Sequence, residues 1–191
     1  MSAPNQKNRK YTPQEYLELE RKAEHKSEYF KGEIFAMSGA TRQHNVISGN
    51  FYAFLHQKLK SKGCRPYGPD MRVHIPVNSL YTYPDISIVC GKEEFLDNEF
   101  DTLLNPIFIC EVLSTSTSDY DTGGKFTLYR SIEFLKEYWV ISSLEYRLLK
   151  FVRQPNNDWL MSEILSLNET VLIETLAVEV PLKEIYLDVE F

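Results

Sequence analysis

Two short apolar runs, each containing one carboxylate, constrain this chain more than any other feature. Residues 83–90 read YPDISIVC, and residues 107–113 read IFICEVL. Both runs are too short and too rich in β-branched residues for a helix, so we predict two buried strands. Asp85 opens the first strand and Glu111 lies inside the second. An ionised carboxylate in a buried strand is costly unless it is paired or binds a metal. Both residues are therefore candidates for function.

A lysine follows these carboxylates at the start of a helical pattern. Lys125 lies fourteen residues after Glu111, in a predicted helix over about residues 121–132. Strand ends that meet a helix start can bring an aspartate, a glutamate and a lysine together. Two carboxylates can bind Mg²⁺, which prefers oxygen ligands. The lysine can position water or offset charge on phosphate oxygens. This combination is typical of metal-assisted phosphodiester hydrolysis.

Composition sets the broad class. A chain of 191 residues with 43% hydrophobic and 25% charged residues is expected to form one globular domain over residues 1–191, with residues 1–10 flexible. No apolar run is long enough to span a bilayer, and the N-terminus lacks a signal-peptide core. We therefore expect a cytoplasmic protein with no membrane partner.

The cysteines point to a reducing compartment. Cys64, Cys90 and Cys110 are odd in number and show no C-x-x-C spacing. This argues against a disulfide framework or a cysteine zinc site, and Cys90 and Cys110 are interpreted as buried thiols.

Charge neither supports nor excludes nucleic acid as a partner. The net charge is −6, but residues 154–191 hold eight acidic residues and one lysine, which leaves about +1 for residues 1–153. A basic run over residues 58–65 is interpreted as a solvated helix face.

The rest of the pattern alternates helices and strands. A capping box at Thr12 with Pro13 behind it starts a short helix, and a hairpin turns at Lys31-Gly32. Thr41 is expected to cap a longer helix that ends by Gly63. Strands are expected near residues 65–67, 71–77, 84–90, 107–113, 137–142 and 146–153, a polar loop over 91–105, and a closing hairpin after residue 159.

The order of these pieces strongly resembles the Uma2 (DUF820) family of the PD-(D/E)xK nuclease superfamily. The matching segments are KGEIFAMSGAT, His44 at the start of a long helix, YPDISIVC, ICEVLSTST, and YDTGGKFTLYR leading into EYWVIS. The resemblance implies an α/β fold, a restriction-endonuclease-like mixed β-sheet flanked by helices. It also implies a Mg²⁺-dependent nuclease site with Mn²⁺ as a substitute, nucleic acid (DNA first) as partner, and Asp85 and Glu111 as metal ligands.

One position departs from the superfamily pattern. The lysine there stands two residues after the glutamate, where this chain has Leu113. Lys125 is the expected substitute. By the same resemblance Glu33, after the glycine turn, is a candidate third acidic residue, and His44 is a candidate for proton transfer or phosphate contact.

Each candidate also has a structural interpretation. Asp85 after proline suits a turn, Glu33 suits an exposed hairpin, and His44 suits a structural role. A buried ion pair between Glu111 and Lys125 would explain both residues without catalysis.

Three hypotheses follow from the sequence. The first is a Mg²⁺-dependent endonuclease acting on DNA. The second is a catalytically inactive nucleic-acid-binding or regulatory module that keeps the fold. The third is a homodimer assembled through the acidic C-terminal segment, where VLIETLAVEV alternates like an edge strand. Dimerisation would also suit the first.

Overall fold

The structure, a computed structural model, describes residues 9–113 and 124–191. Residues 1–8 of the expected flexible N-terminus and residues 121–123 of the expected third helix lie outside this part of the chain. Its helices are α1 (Pro13–Glu20), α2 (Arg42–Leu59), α3 (Phe126–Tyr129) and α4 (Leu182–Ile185). None of the described helices combines the length and apolar character that a bilayer crossing requires.

A mixed sheet forms the centre of the fold. In the described residues it has six strands, which are β3 (Cys64–Tyr67), β6 (Ile86–Cys90), β8 (Phe108–Leu113), β9 (Glu137–Ser142), β10 (Leu148–Arg153) and β11 (Trp159–Ile164). They lie in the order β11-β10-β9-β8-β6-β3. The strands β8 and β9 run parallel and the other neighbours are antiparallel. The strand that carries Glu111 is therefore interior to the sheet.

A second sheet packs against one face of the first. Its strands within the described residues are β1 (Ser27–Phe30), β2 (Glu33–Ala36), β4 (Arg72–Ile75), β5 (Leu80–Thr82) and β7 (Thr102–Leu103). They lie in the order β2-β1-β5-β4-β7. The short strand β7 lies inside the segment expected to be a polar loop. Helix α1 covers the outer face through a cluster with Tyr16, Tyr29 and Tyr81.

Local sequence explains the ends of α1 and the turn between β1 and β2. The Thr12 hydroxyl accepts a hydrogen bond from the amide of Glu15, and the Glu15 carboxylate accepts one from the amide of Thr12. This is the expected capping box. The hairpin turns at Lys31 and Gly32, both with positive φ. Gly32 has a φ of +92°, and an added Cβ would lie 2.9 Å from the Lys10 side chain, so glycine is favoured at this position.

The central sheet lies between two apolar cores, one on each of its faces. On one face, Phe51 of α2 stacks on Trp139 of β9 with ring centroids 5.6 Å apart. On the other face, Ile109, Leu113 and Tyr129 are buried between the two sheets. The side chains of β8 therefore alternate between these cores, and Glu111 projects to the same face as Ile109 and Leu113.

The C-terminal segment corrects one expectation. The alternating residues do not form a single exposed edge strand, because a 3-10 turn over Glu174–Leu176 separates β12 (Thr170–Ile173) from β13 (Val178–Pro181). The two strands pair as a hairpin. Val171, Ile173, Val178 and Val180 are buried in the core that also contains residues of α2, whereas Leu172 is exposed. The buried side chains therefore pack inside the chain and do not form an exposed edge.

The cysteine interpretation is also wrong for two of three residues. Cys64 and Cys90 form a disulfide. The antiparallel register of β3 and β6 places them directly opposite each other, which sequence spacing alone does not show. Cys110 is a buried thiol as expected. Burial raises its pKa well above the ordinary value, and the charges of Asp85 and Glu111 add to this, so the thiol stays protonated.

Candidate active site

Glu111 is held in place by two donors from the next helical segment. Its side chain is 5% exposed. Its Oε1 accepts a hydrogen bond of 2.7 Å from the hydroxyl of Tyr129 and one of 3.2 Å from Nζ of Lys125. Burial raises the pKa of Tyr129 well above its ordinary value, and the charges of Glu111 and Glu28 raise it further. Tyr129 is therefore a permanent donor to the glutamate.

Lys125 lies between two carboxylates. Its Nζ is 3.2 Å from Oε1 of Glu111 and 3.4 Å from Oε1 of Glu28. Glu28 projects from β1 of the second sheet, and its Oε1 also accepts a hydrogen bond from the Thr82 hydroxyl. The lysine side chain is 10% exposed, so this ammonium is largely buried between the two carboxylates.

Asp85 sits where β6 begins, beside the strand that carries Glu111. Its Oδ2 accepts a hydrogen bond of 2.7 Å from the amide of Val112, the residue after Glu111. The same oxygen lies 3.2 Å from Nε2 of His44, in the first turn of α2. The amide of His44 in turn donates to the Thr41 hydroxyl, the expected cap of this helix. Cap chemistry thus places the histidine next to the aspartate.

One cavity collects these groups. It encloses about 700 Å³, within the range of about 300–1,000 Å³ for ligand sites. Asp85, Glu111, Lys125, His44 and Glu28 all line it. The structure therefore brings together the three main predicted residues and the weaker candidate His44.

Glu33 lies elsewhere. It is exposed, and its Oε1 forms an ion pair with Nζ of Lys10 at 2.5 Å. The hairpin register explains this, because Glu33 is opposite Phe30 at the turn end while Glu28 is opposite Phe35 at the other end. The hairpin does deliver a glutamate to the cavity, but it is Glu28. Sequence reasoning missed Glu28, and the hint was a carboxylate inside a predicted strand, SEYF.

The oxygen donors in the cavity suit a hard cation. Mg²⁺ commonly binds proteins through one or two carboxylates and keeps several waters, and Asp85 and Glu111 supply such oxygens. Among residues 9–113 and 124–191, no group of three or more His, Cys, Asp or Glu side chains forms a ready metal site. A cation here would rely on the two carboxylates together with waters or substrate oxygens.

Comparison with known proteins gives the family. The model of the Uma2 family, described as "putative restriction endonuclease", matches residues 13–186. The chain belongs to the Uma2 family. That match includes every residue described above at the cavity, and membership supports a nuclease as the general class of activity, for which a divalent metal is typical.

Two relatives are found in Synechocystis sp. (strain ATCC 27184 / PCC 6803 / Kazusa). The uncharacterized protein sll1609 is 34% identical over 84% of this chain and 90% of its own length. The uncharacterized protein slr1290 is 35% identical over 80% of this chain and 79% of its own. Both likenesses cover at least 80% of this chain.

A solved structure supports the fold. The crystal structure of a "putative nuclease belonging to DUF820" from Anabaena variabilis ATCC 29413 has a TM-score of 0.73 with this chain at 18% identity. The likeness covers 91% of this chain and 96% of that one. It confirms the predicted α/β fold, a restriction-endonuclease-like mixed sheet flanked by helices.

The departure from the superfamily motif has a structural counterpart in this Uma2 protein. Leu113, two residues after Glu111, is buried between the two sheets. The ammonium near Glu111 comes from Lys125 instead, at the start of α3. In the superfamily pattern the lysine lies on the same strand as the glutamate. Here the lysine comes from a neighbouring element, and its long side chain reaches the glutamate from there.

Proposed function

We propose that this Uma2 protein is a Mg²⁺-dependent endonuclease that hydrolyses phosphodiester bonds in DNA. One observation carries the proposal: Asp85, Glu111 and Lys125 line a single cavity, with the ammonium in hydrogen-bond reach of Glu111. These residues are far apart in sequence and come from two strands and the start of a helix. They meet in the cavity only because of the tertiary fold.

The charge of the cavity supports a cation as part of the site. Among the described residues, five carboxylates and two lysines line it. The carboxylates are those of Glu24, Glu28, Asp70, Asp85 and Glu111. A net negative cavity repels a phosphodiester unless bound cations reverse the local field. Asp85 and Glu111 are the residues that would hold the cation.

The residues of the chain have distinct roles in this proposal. A bound divalent cation supplies Lewis-acid stabilisation of the phosphate and a more acidic water. Lys125 donates hydrogen bonds to the attacking water or to a non-bridging phosphate oxygen, where negative charge grows. Tyr129 and Glu28 hold Glu111 and Lys125 in place. His44 and the amide of Val112 contact Oδ2 of Asp85, so Oδ1 is the oxygen that we expect to bind the cation.

Cleavage assays test the proposal. Wild-type protein is incubated with plasmid DNA and with RNA of the same sequence, in Mg²⁺, in Mn²⁺ and in EDTA. We expect nicking of DNA in either metal, none in EDTA, and none by folded Asp85→Asn protein. Metal-independent nicking, or full activity of Asp85→Asn, would overturn the proposal.

The second function is a non-catalytic nucleic-acid-binding module. The observation that favours it is the engagement of Lys125 by two carboxylates, since buried ion pairs can be purely structural. It predicts nucleic-acid binding that weakens steeply with salt, with no metal-dependent turnover. The same preparations distinguish it from the nuclease.

A homodimer and a cytoplasmic location stay predictions from the sequence. In the C-terminal segment Val171, Ile173 and Val178 are buried, whereas Leu172, Leu187 and Phe191 are exposed and could contribute to a dimer surface. Size-exclusion chromatography with light scattering measures the oligomeric state.

A further inference from the structure

One large aromatic side chain stands exposed at the wall of the cavity. Phe35 lies on β2, the edge strand of the second sheet in the described residues. Its exposed fraction is 47%, and it lines the same cavity as the carboxylates. The register pairs it directly with Glu28, so the two side chains project side by side on one face. An aromatic ring therefore stands next to the proposed catalytic groups.

The segment that follows Phe35 along the lining is mostly small or apolar. It contains Ala36, Met37, Gly39 and Ala40, with Ser38 as its polar member. The charged groups, including Glu28, Glu111 and Lys125, line the same space. A ligand that suits both surfaces has an ionic group and a flat apolar group within a few ångströms of each other. A nucleotide has this chemistry.

The size of the cavity determines whether a single nucleotide or a whole duplex can enter it. A volume of about 700 Å³ lies in the range of pockets for small ligands, so the cavity suits a nucleotide-sized group and not a whole duplex. In a duplex the faces of each base are covered by its neighbours. A base can therefore stack on Phe35 only if it is unpaired or turned out of the helix, as enzymes that act on single nucleotides require.

We propose that Phe35 is a stacking platform for an unpaired base beside the scissile phosphate, so that the substrate is single-stranded or locally opened nucleic acid. The inference rests on the proposed function and deepens it. Stacking on an aromatic side chain tolerates any base because every base has a π-face. Phe35 thus distinguishes an unpaired from a paired substrate and does not distinguish one base sequence from another.

Binding of labelled oligonucleotides tests this without relying on cleavage. Fluorescence anisotropy compares a short thymidine oligomer with an abasic oligomer of the same length. We expect wild-type protein to bind the thymidine oligomer about tenfold more tightly, because base stacking is worth about 1–3 kcal/mol per base. Phe35→Ala should lose this preference and bind both oligomers as wild type binds the abasic one. Phe35→Trp should keep it.

Phe134→Ala is the matched control. Phe134 is also aromatic and 42% exposed, but it does not line the cavity. We expect its substitution to leave the preference unchanged. Equal binding of both oligomers by wild type, or an unchanged preference in Phe35→Ala, would overturn the inference. So would a Phe134→Ala effect equal to that of Phe35→Ala.

Cleavage then separates the inference from the proposed function. If wild type cleaves, single strands should be cut with a lower KM than the paired duplex, and Phe35→Ala should raise that KM about tenfold with little change in kcat. If the base preference is present without cleavage, the stacking inference holds and the nuclease proposal fails. If cleavage occurs and Phe35→Ala changes neither binding nor KM, the nuclease proposal holds and the stacking inference fails.

Discussion

Nζ of Lys125 lies 3.2 Å from Oε1 of Glu111, although fourteen residues separate them in sequence. The ion pair is buried, with 10% and 5% of the side chains exposed. The lysine thus meets its glutamate across two elements, β8 and α3, instead of along one strand.

This ion pair permits a test that separates catalysis from stability. Lys125→Met leaves the Glu111 charge buried with less compensation, so we expect the free energy of unfolding to fall by about 3 kcal/mol. We also expect cleavage to fall by at least about 100-fold. Urea unfolding and initial cleavage rates measure the two effects.

The double variant Lys125→Met/Glu111→Gln is the matched control for the ion pair. Removing both charges should restore only part of the lost stability, because Glu28 remains without its ammonium partner, and none of the activity. A purely structural ion pair would instead give a double variant as active as the wild type.

Tyr129→Phe should weaken the site without abolishing it. The substitution removes the hydroxyl that donates to Glu111 over 2.7 Å and leaves the ring in its buried position. A hydrogen bond to a charged group contributes about 1.5–3 kcal/mol, so unfolding should become easier by about that amount. We expect kcat to fall less than in Glu111→Gln. Loss of activity as complete as in Glu111→Gln would mean that Tyr129 contacts the reacting atoms.

Glu28→Gln tests the residue that sequence reasoning missed. The amide keeps the shape and can still accept from the Thr82 hydroxyl, but it removes one of the two charges near Lys125. We expect the lysine to lose part of its orientation and kcat to fall about tenfold. Steady-state kinetics beside Glu33→Gln, whose glutamate lies outside the cavity, measures the effect. Equal rates for Glu28→Gln and wild type would contradict a positioning role.

His74 should make stability depend on acid pH. Its ring stacks on Tyr81 with centroids 3.9 Å apart. Burial, together with the charge of Arg72, lowers its pKa from 6.5 to about 4. Above about pH 6.5 both folded and unfolded states hold a neutral ring, so this residue adds no pH dependence there. Below it the unfolded chain takes up the proton first, and stability is lost as the pH falls towards about 4.

The variant His74→Phe keeps the stack and removes the titration. Chemical unfolding at about pH 7 and about pH 4.5 should show a smaller loss of stability in this variant than in wild type. Identical losses in the two proteins would show that the pKa of His74 is not lowered by folding.

Local patterns were enough to predict much of this fold. The capping box at Thr12, the turn at Lys31-Gly32 and the cap at Thr41 are each confirmed. All three depend on contacts between near neighbours in sequence, where residue type determines geometry. The strand with Glu111 was identifiable because a carboxylate interrupts an apolar run.

Features that depend on long-range pairing were not predictable. Glu28 reaches Lys125 only because the second sheet packs on the first, and Cys64 meets Cys90 only through the register of two strands. A shift of one residue in either register would turn these side chains to the opposite face. The hairpin and its glutamates were likewise predictable from the sequence. Which end of the hairpin faces the cavity was not predictable.

The most direct test of the account compares Glu111→Gln with Glu33→Gln. Both variants replace one carboxylate by an amide of the same shape, one inside the cavity and one outside it. Single-turnover cleavage of DNA in Mg²⁺ is measured on both, with circular dichroism to confirm folding. We expect no detectable cleavage by Glu111→Gln and wild-type rates for Glu33→Gln. Cleavage by folded Glu111→Gln at the wild-type rate would contradict it.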